Sequence, residues 1–459
     1  MIFNPPKQFI LIVASFWLFN TGTLGAREQS SEPAFVPSIT VEQGFDDKIA
    51  KKLADYLDDL NKSGVGVVIR VDKGAASWRG AAGYAQLNEC CKETRRFSSS
   101  FRVGSLTKLF TASVVLSLVE AGRLSLEDTL GQLFPEEQAK GGWLHDHKWA
   151  KSITLKELMG MRIGISNYTS AAQIEFSDNC TPLRVYTPNE LVHLGFKNET
   201  PRAQLRSDKA PTKCHYSNTN YIILGLLIEK ITQKSLADNL RERIFEPLNL
   251  NNIDLPPNPS MPEDHVPGYG ILSNMDQTPY SLCYLPQDAS LPHQENSLIA
   301  DVTYRTPSVP WAAGAIVANM DDLVAAVKAQ VKGAVPKLSA ALIEQRLNDT
   351  VPIEDMTQAL QEINILKKDE SLNYGLGMVT FNQYAGHGGA ILGYYSMVLY
   401  NKDEDIAIGV NLNRYPPEDD NGNPVVIAIQ LTRIMAGATG LTHGVTEQTK
   451  PLDEPLVLE

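Results

Sequence analysis

The sequence predicts an α/β fold of the α+β type. One antiparallel sheet is formed by both chain ends and flanked by helices, with an inserted, mostly helical region between its halves. Two observations predict the sheet. "GVGVVIRVDKGAASWRGAAGYA" (Gly64 to Ala85) places branched apolar residues on either side of a turn cluster at Asp72 to Gly74, and "GYYSMVLYNKDEDIAIGVNLN" (Gly393 to Asn413) repeats the pattern around Lys402 to Asp405. A third predicts the insertion: between these pairs, strongly apolar stretches such as Leu106 to Val119 have the length of buried helices.

Taken from the N-terminus, Lys7 precedes an eleven-residue apolar run, Phe9 to Phe19, followed by small residues ending at Ala26. This pattern reads residues 1–26 as a secretory signal peptide. The run is shorter than the roughly 20 residues that a spanning helix needs, so no transmembrane anchor is expected after cleavage and the mature protein is expected to be periplasmic or secreted. Residues 27–44 read as a linker, 45–438 as one domain, and 439–459 as a polar C-terminal tail. Within the domain, residues 256–310 carry ten prolines and little periodicity, which predicts an irregular packed excursion or a lid. "VVIAIQLTRIM" near the end has helical periodicity.

Composition excludes some functions. Across 459 residues, 41 Lys and Arg against 53 Asp and Glu leave a net charge of -12 with no basic block, so a nucleic-acid surface is not expected. The five cysteines (Cys90, Cys91, Cys180, Cys214, Cys283) allow at most two disulfides and have no metal-ligand spacing. "HDHKW" (His145, Asp146, His147) lacks further ligands at a sensible distance and reads as a loop. No metal or other cofactor is expected.

The chemistry concentrates at "SSFRVGSLTKLFTASVVLSLVEAGRL", where Ser105 and Lys108 stand at the start of an apolar helix that ends near Gly122. Positions i and i+3 share a helix face, so the hydroxyl and the amine can meet. A serine is a poor nucleophile until a neighbour takes its proton. A lysine can take it once burial makes its neutral form accessible. Two further clusters stand at the starts of predicted elements: Tyr216, Ser217 and Asn218 before the apolar helix of "YSNTNYIILGLLIEKI", and His387, Gly388 and Gly389 in "YAGHGGAILGYY".

The three clusters, in this order, resemble the Ser-x-x-Lys, Tyr-x-Asn and Lys/His-x-Gly motifs of the serine beta-lactamase and penicillin-binding protein superfamily. The likeness extends over about Phe45 to Ala438 through "ITLKELMGMRIGISNY", "AAGAIVANMDDLVAAV" and "YGLGMVTF", and is nearest to secreted D-alanyl-D-alanine carboxypeptidases, a subgroup near the class C beta-lactamases. The resemblance implies the beta-lactamase/transpeptidase-like fold and an acyl-enzyme formed on Ser105. Lys108 and Tyr216 act as a proton-transfer pair. Asn218 holds the substrate amide and orients Lys108, and His387 lines the pocket opposite Tyr216. The backbone N–H groups of Ser105 and Ala390, beside Gly389, form the oxyanion hole. It implies cleavage of D-alanyl-D-alanine ends of peptidoglycan peptides, with a small peptide, ester or beta-lactam as substrate. An esterase, a beta-lactamase or a penicillin-binding pseudoenzyme would use the same site. Two departures stand out: Gly388 replaces the Thr or Ser that helps hold a substrate carboxylate, and Met161 and Ile163 replace the usual His and Ser of a His-x-Ser-Gly run.

Overall fold

A computed structural model describes residues 36–62, 65–86, 95–169, 184–197, 213–271, 299–335, 338–415 and 423–437. The segments read as signal peptide and C-terminal tail, residues 272–298 of the proline-rich excursion, and four of the cysteines lie outside the described residues; among the described residues Cys214 has no disulfide partner.

Nine antiparallel strands form the central sheet: β1 (Ser38–Val41), β2 (Val67–Lys73), β3 (Ala76–Ala82), β4 (Val351–Pro352), β5 (Leu372–Tyr374), β6 (Val379–Phe381), β7 (Tyr384–Ile391), β8 (Tyr394–Asn401) and β9 (Ile406–Leu412). Their spatial order is β1-β3-β2-β9-β8-β7-β6-β5-β4, so the two predicted hairpins meet where β9 pairs with β2 from Leu412↔Val67 to Ile406↔Lys73. That junction makes the two chain ends one sheet. The edge strand β1 lies inside the stretch read as a linker. "SITV" is short, but its branched residues extend the backbone, and Ser38 to Val41 pair with Ala81 to Trp78.

One face of the sheet is covered by α1 (Asp47–Asn61) and α5 (Pro424–Met435), which also touch each other. Asp46 caps α1 by accepting from the Lys48 and Ile49 amides at 2.9 Å. Against the other face pack α4 (Met320–Lys332) and the helical region. The helix α2 (Thr107–Glu120) runs through the centre of that region, with every residue from Thr107 to Leu118 buried. It is apolar all round because it has neighbours all round. It packs beside α3 (Asn218–Thr232), and the short helix Trp311–Gly314 touches both. Among the described residues no helix is long and apolar enough to cross a membrane.

Candidate active site

A single 3-10 turn, Gly104–Leu106, leads into α2 and carries Ser105 to the sheet. Gly104 has φ +58°, and a Cβ there would stand 3.0 Å from the Ala390 amide nitrogen. Only glycine combines that backbone with so close an approach. The strand answers in kind: a Cβ on Gly389 would lie 1.9 Å from the Val103 carbonyl oxygen and 3.0 Å from the Ser105 nitrogen. Beyond Gly386 no β6 residue pairs with β7, so the stretch Gly388–Ile391 has β8 on one side and the Ser105 turn near the other. The backbone amides of Ser105 and Ala390 therefore flank one junction.

Lys108 is buried on the first turn of α2. Its Nζ lies 2.9 Å from Ser105 Oγ, 2.6 Å from Asn218 Oδ1 and 2.7 Å from the Ala313 carbonyl oxygen. Burial, with no carboxylate partner among the described residues, pushes the amine well below the ordinary lysine range. Tyr216 comes from the extended segment before α3; its hydroxyl interacts electrostatically with Ser105, and its ring centroid is 5.0 Å from Lys108 Nζ. Burial raises the phenol above its usual value, so it holds its proton.

The placement of Tyr216 and Asn218 depends on the segment where the sequence departs from the usual pattern. The His215 amide donates to the Met161 carbonyl at 2.6 Å, the Ser217 amide lies 3.4 Å from Met161 Sδ, and the Asn218 amide donates to Asn167 Oδ1 at 3.3 Å. Met161 is fully buried with φ 54°, so it occupies the substituted position as packing and backbone support.

His387, expected to line the pocket opposite Tyr216, is only 3% exposed. The Tyr374 ring stands edge-on to both, 5.9 Å from Tyr216 and 5.6 Å from His387 between centroids. Burial and the nearby Lys108 push the imidazole down to about 3. Gly388 is half-buried, and a Cβ there would meet Met397 Sδ at 3.1 Å.

Sequence reasoning missed three contributors. The Ala313 carbonyl is a backbone group with no side-chain signature. Tyr374 opens "YGLGMVTF", a stretch that carries the resemblance without pointing to a role for the tyrosine. Arg346 is fully buried, with no acidic partner among the described residues; it donates to Ser113 Oγ (2.8 Å), the Leu109 carbonyl (2.8 Å) and the Leu376 carbonyl (2.9 Å), tying α2 to the turn before β6. Burial pushes its guanidinium down to about 10. Its only sequence signal is one arginine on an otherwise amphipathic helix. The loop of His145, Asp146 and His147 takes no part in this cluster: His147 packs against Phe196, with ring centroids 4.9 Å apart.

The family model described as Beta-lactamase matches residues 49–432. The chain is 26% identical over 219 residues to penicillin-binding protein 4* of Bacillus subtilis, covering 47% of this chain and 44% of that protein. It is 30% identical over 154 residues to penicillin-binding protein 4 of Amycolatopsis lactamdurans, covering 33% and 35%. The matched region thus spans less than half the length of either relative. Among solved structures, a D-stereospecific amidohydrolase from Streptomyces sp. superposes with a TM-score of 0.62 at 25% identity, over 86% of this chain and 100% of that one. The D-amino acid amidase of Ochrobactrum anthropi SV3 gives 0.64 at 20% identity over 85% and 100%, a likeness of fold alone.

Proposed function

The chain belongs to the beta-lactamase family, and on that premise we propose that it is a serine hydrolase cleaving small amides, peptides and esters of D-amino acids through an acyl-enzyme on Ser105. The observation that carries the reading is the surroundings of Lys108 Nζ. Two of its three polar contacts, the Asn218 Oδ1 and the Ala313 carbonyl oxygen, can only accept. A neutral amine has two N–H bonds and one lone pair. With both N–H bonds spent on those oxygens, the lone pair faces Ser105 Oγ and can take its proton.

The remaining steps follow from the same atoms. As Ser105 Oγ bonds to the substrate carbonyl carbon, its proton passes to Lys108. The carbonyl oxygen becomes an oxyanion between the Ser105 and Ala390 amides, an arrangement in which each donor is typically worth about 100-fold to 1000-fold in rate. Tyr216, protonated at rest, gives its proton to the leaving nitrogen as the C–N bond breaks, and the proton on Lys108 then restores it. Water reverses the sequence: it loses a proton to the same pair, attacks the acyl carbon, and Ser105 Oγ leaves with a proton.

D-Configured amides are supported as substrates by the likeness to the amidohydrolase from Streptomyces. Gly388 supports tolerance of an uncharged leaving side, because no hydroxyl stands there to hold a terminal carboxylate. A second reading, D-alanyl-D-alanine carboxypeptidase acting on peptidoglycan, is favoured by the motifs Ser105-x-x-Lys108, Tyr216-x-Asn218 and His387-x-Gly389 and by the two penicillin-binding relatives. Lys7 and the apolar run after it support an exported protein, with either activity outside the cytoplasm. A panel of a D-amino-acid amide, its L-enantiomer, a D-Ala-D-Ala peptide, a short acyl ester and a chromogenic cephalosporin tests it. Preference for the D-amide or ester over the D-Ala-D-Ala peptide supports the first reading. Preference for the free carboxylate supports the second, and labelling of Ser105 by a penicillin without turnover of anything would replace both with a binding protein.

A further inference from the structure

We infer that Tyr374 is a positioning residue of this site: its hydroxyl fixes His387 as the neutral Nδ1–H tautomer, tied to the Gly388 carbonyl, and so holds the strand edge that carries Gly389 and Ala390 against Ser105. The inference rests on the acyl-enzyme reading above, and it gives His387 a task other than lining the pocket.

The geometry leaves little freedom. His387 Nδ1 lies 2.5 Å from the Gly388 carbonyl oxygen. A carbonyl only accepts, so Nδ1 carries a hydrogen. Nε2 lies 3.2 Å from the Tyr374 hydroxyl, in a buried setting. In a neutral ring Nε2 is then a lone pair, and Tyr374 donates to it.

The alternative, a doubly protonated ring donating to Tyr374, would add a cation to a buried cluster that already holds Arg346, and a further one whenever Lys108 takes up a proton. The titratable and charged groups around the pair are Lys108 on α2, Cys214 and Tyr216 in the segment before α3, Tyr221 on α3, and Arg346 on the helix before β4. Lys108 and Arg346 both oppose a charge on His387, and no carboxylate among these groups offsets them. Tyr221 is the next phenol in the row. Its hydroxyl donates its one hydrogen to the Met159 carbonyl at 3.0 Å, so it does not compete as a donor to His387, and the hydrogen of Tyr374 is the one that can go to Nε2.

With both ring nitrogens occupied, His387 has no donor or acceptor left for a substrate. What it can do is fix the backbone of its own strand. The Gly388 carbonyl it holds is one residue from Gly389, whose Cα packs against Val103 and Ser105, and two from the Ala390 amide. Removing the Tyr374 hydroxyl would leave Nε2 unpaired in the interior. The ring would then change tautomer or take up a proton, and in either case the tie to Gly388 would loosen or the charge beside Lys108 would rise.

The test is Tyr374→Phe in the full chain, which keeps the ring and its edge contacts. We expect kcat on a D-amino-acid amide to fall roughly tenfold with KM changed less than about twofold, because the strand edge acts on the oxyanion and not on ground-state binding. The acid limb of kcat/KM should move up by about one pH unit as His387 becomes protonated. Histidine-selective nitrogen NMR, with His387 identified by the signal lost in His387→Asn, supplies a readout that needs no turnover. The unsubstituted protein should show the Nδ1–H tautomer without titration between about pH 5 and 8, and Tyr374→Phe should show a titrating ring. A His387 that titrates normally in the unsubstituted protein would overturn the inference, even if the variant did not fold. So would a variant whose His387 signal and kcat both match the parent. A protein showing this tautomer but hydrolysing nothing would count against the acyl-enzyme reading and leave the Tyr374–His387 assignment standing.

Discussion

Lys108 Nζ stands 2.9 Å from Ser105 Oγ, and its other two polar contacts are oxygens that only accept. The pair is therefore poised to move a proton from oxygen to nitrogen in a buried setting. Lys108→Arg tests this, because a guanidinium stays protonated in the working pH range and offers no lone pair to take the proton. Ester hydrolysis should fall by about 100-fold to 10,000-fold, the usual range for loss of a general base. Steady-state rates alongside circular dichroism would check it; a folded variant retaining a tenth of the activity would remove Lys108 from the proton path.

Tyr216 is expected to matter most when the leaving group is poor. Burial keeps its phenol protonated, so its task is donation to a departing nitrogen. Tyr216→Phe should cost an amide substrate at least about 100-fold and a nitrophenyl ester, whose leaving group needs no proton, much less. Equal losses on both substrates would show instead that Tyr216 takes the proton from Ser105.

Gly388 and Gly389 should respond oppositely to enlargement. At Gly388 the nearest obstacle is the thioether of Met397, 3.1 Å from where a Cβ would stand, and a flexible methionine can give way. Gly388→Thr should therefore fold and raise kcat/KM for D-Ala-D-Ala peptides over their amides by about tenfold, the worth of one charge-assisted hydrogen bond. At Gly389 the obstacle is the Val103 backbone at 1.9 Å, so Gly389→Ala should displace the Ser105 turn and abolish hydrolysis. Paired kinetics on the two substrate types decide the first, and loss of penicillin labelling checks the second.

Stability should fall with acid because of His387. Its folded value is pushed down to about 3, whereas an unfolded histidine takes up a proton near its ordinary 6.5. The unfolded chain thus binds more protons between these values, and stability is lost as pH drops from about 6.5 toward 3. Melting temperatures from pH 7.5 down to 4.5 should decline less steeply in His387→Asn than in the parent; parallel declines would assign the acid sensitivity to other groups.

The sequence carried the parts of this site that obey local rules. Ser105 and Lys108 meet because i and i+3 share a helix face, and the hairpins around Asp72 and Lys402 follow from branched residues flanking turn formers. What it did not carry depends on distant packing. The Ala313 carbonyl reaches Lys108 across 205 positions, and Arg346 reaches Ser113 across 233; neither leaves a pattern in its own segment. His387 was assigned to the pocket by resemblance. In the structure it is buried, and its Nε2 meets the hydroxyl of Tyr374, thirteen residues away on another strand, at 3.2 Å. The edge strand Ser38–Val41 was read as linker because four residues give too short a run for alternation to show.

The central claim is a covalent intermediate on Ser105, and rapid-quench intact mass analysis during turnover of a slowly hydrolysed ester or penicillin measures it most directly. The account predicts a transient adduct of the acyl mass, localised by peptide mapping to Ser105 and absent from Ser105→Ala, which should retain less than about one hundredth of the parent rate. Turnover with no adduct, an adduct on another residue, or undiminished hydrolysis by Ser105→Ala would contradict it.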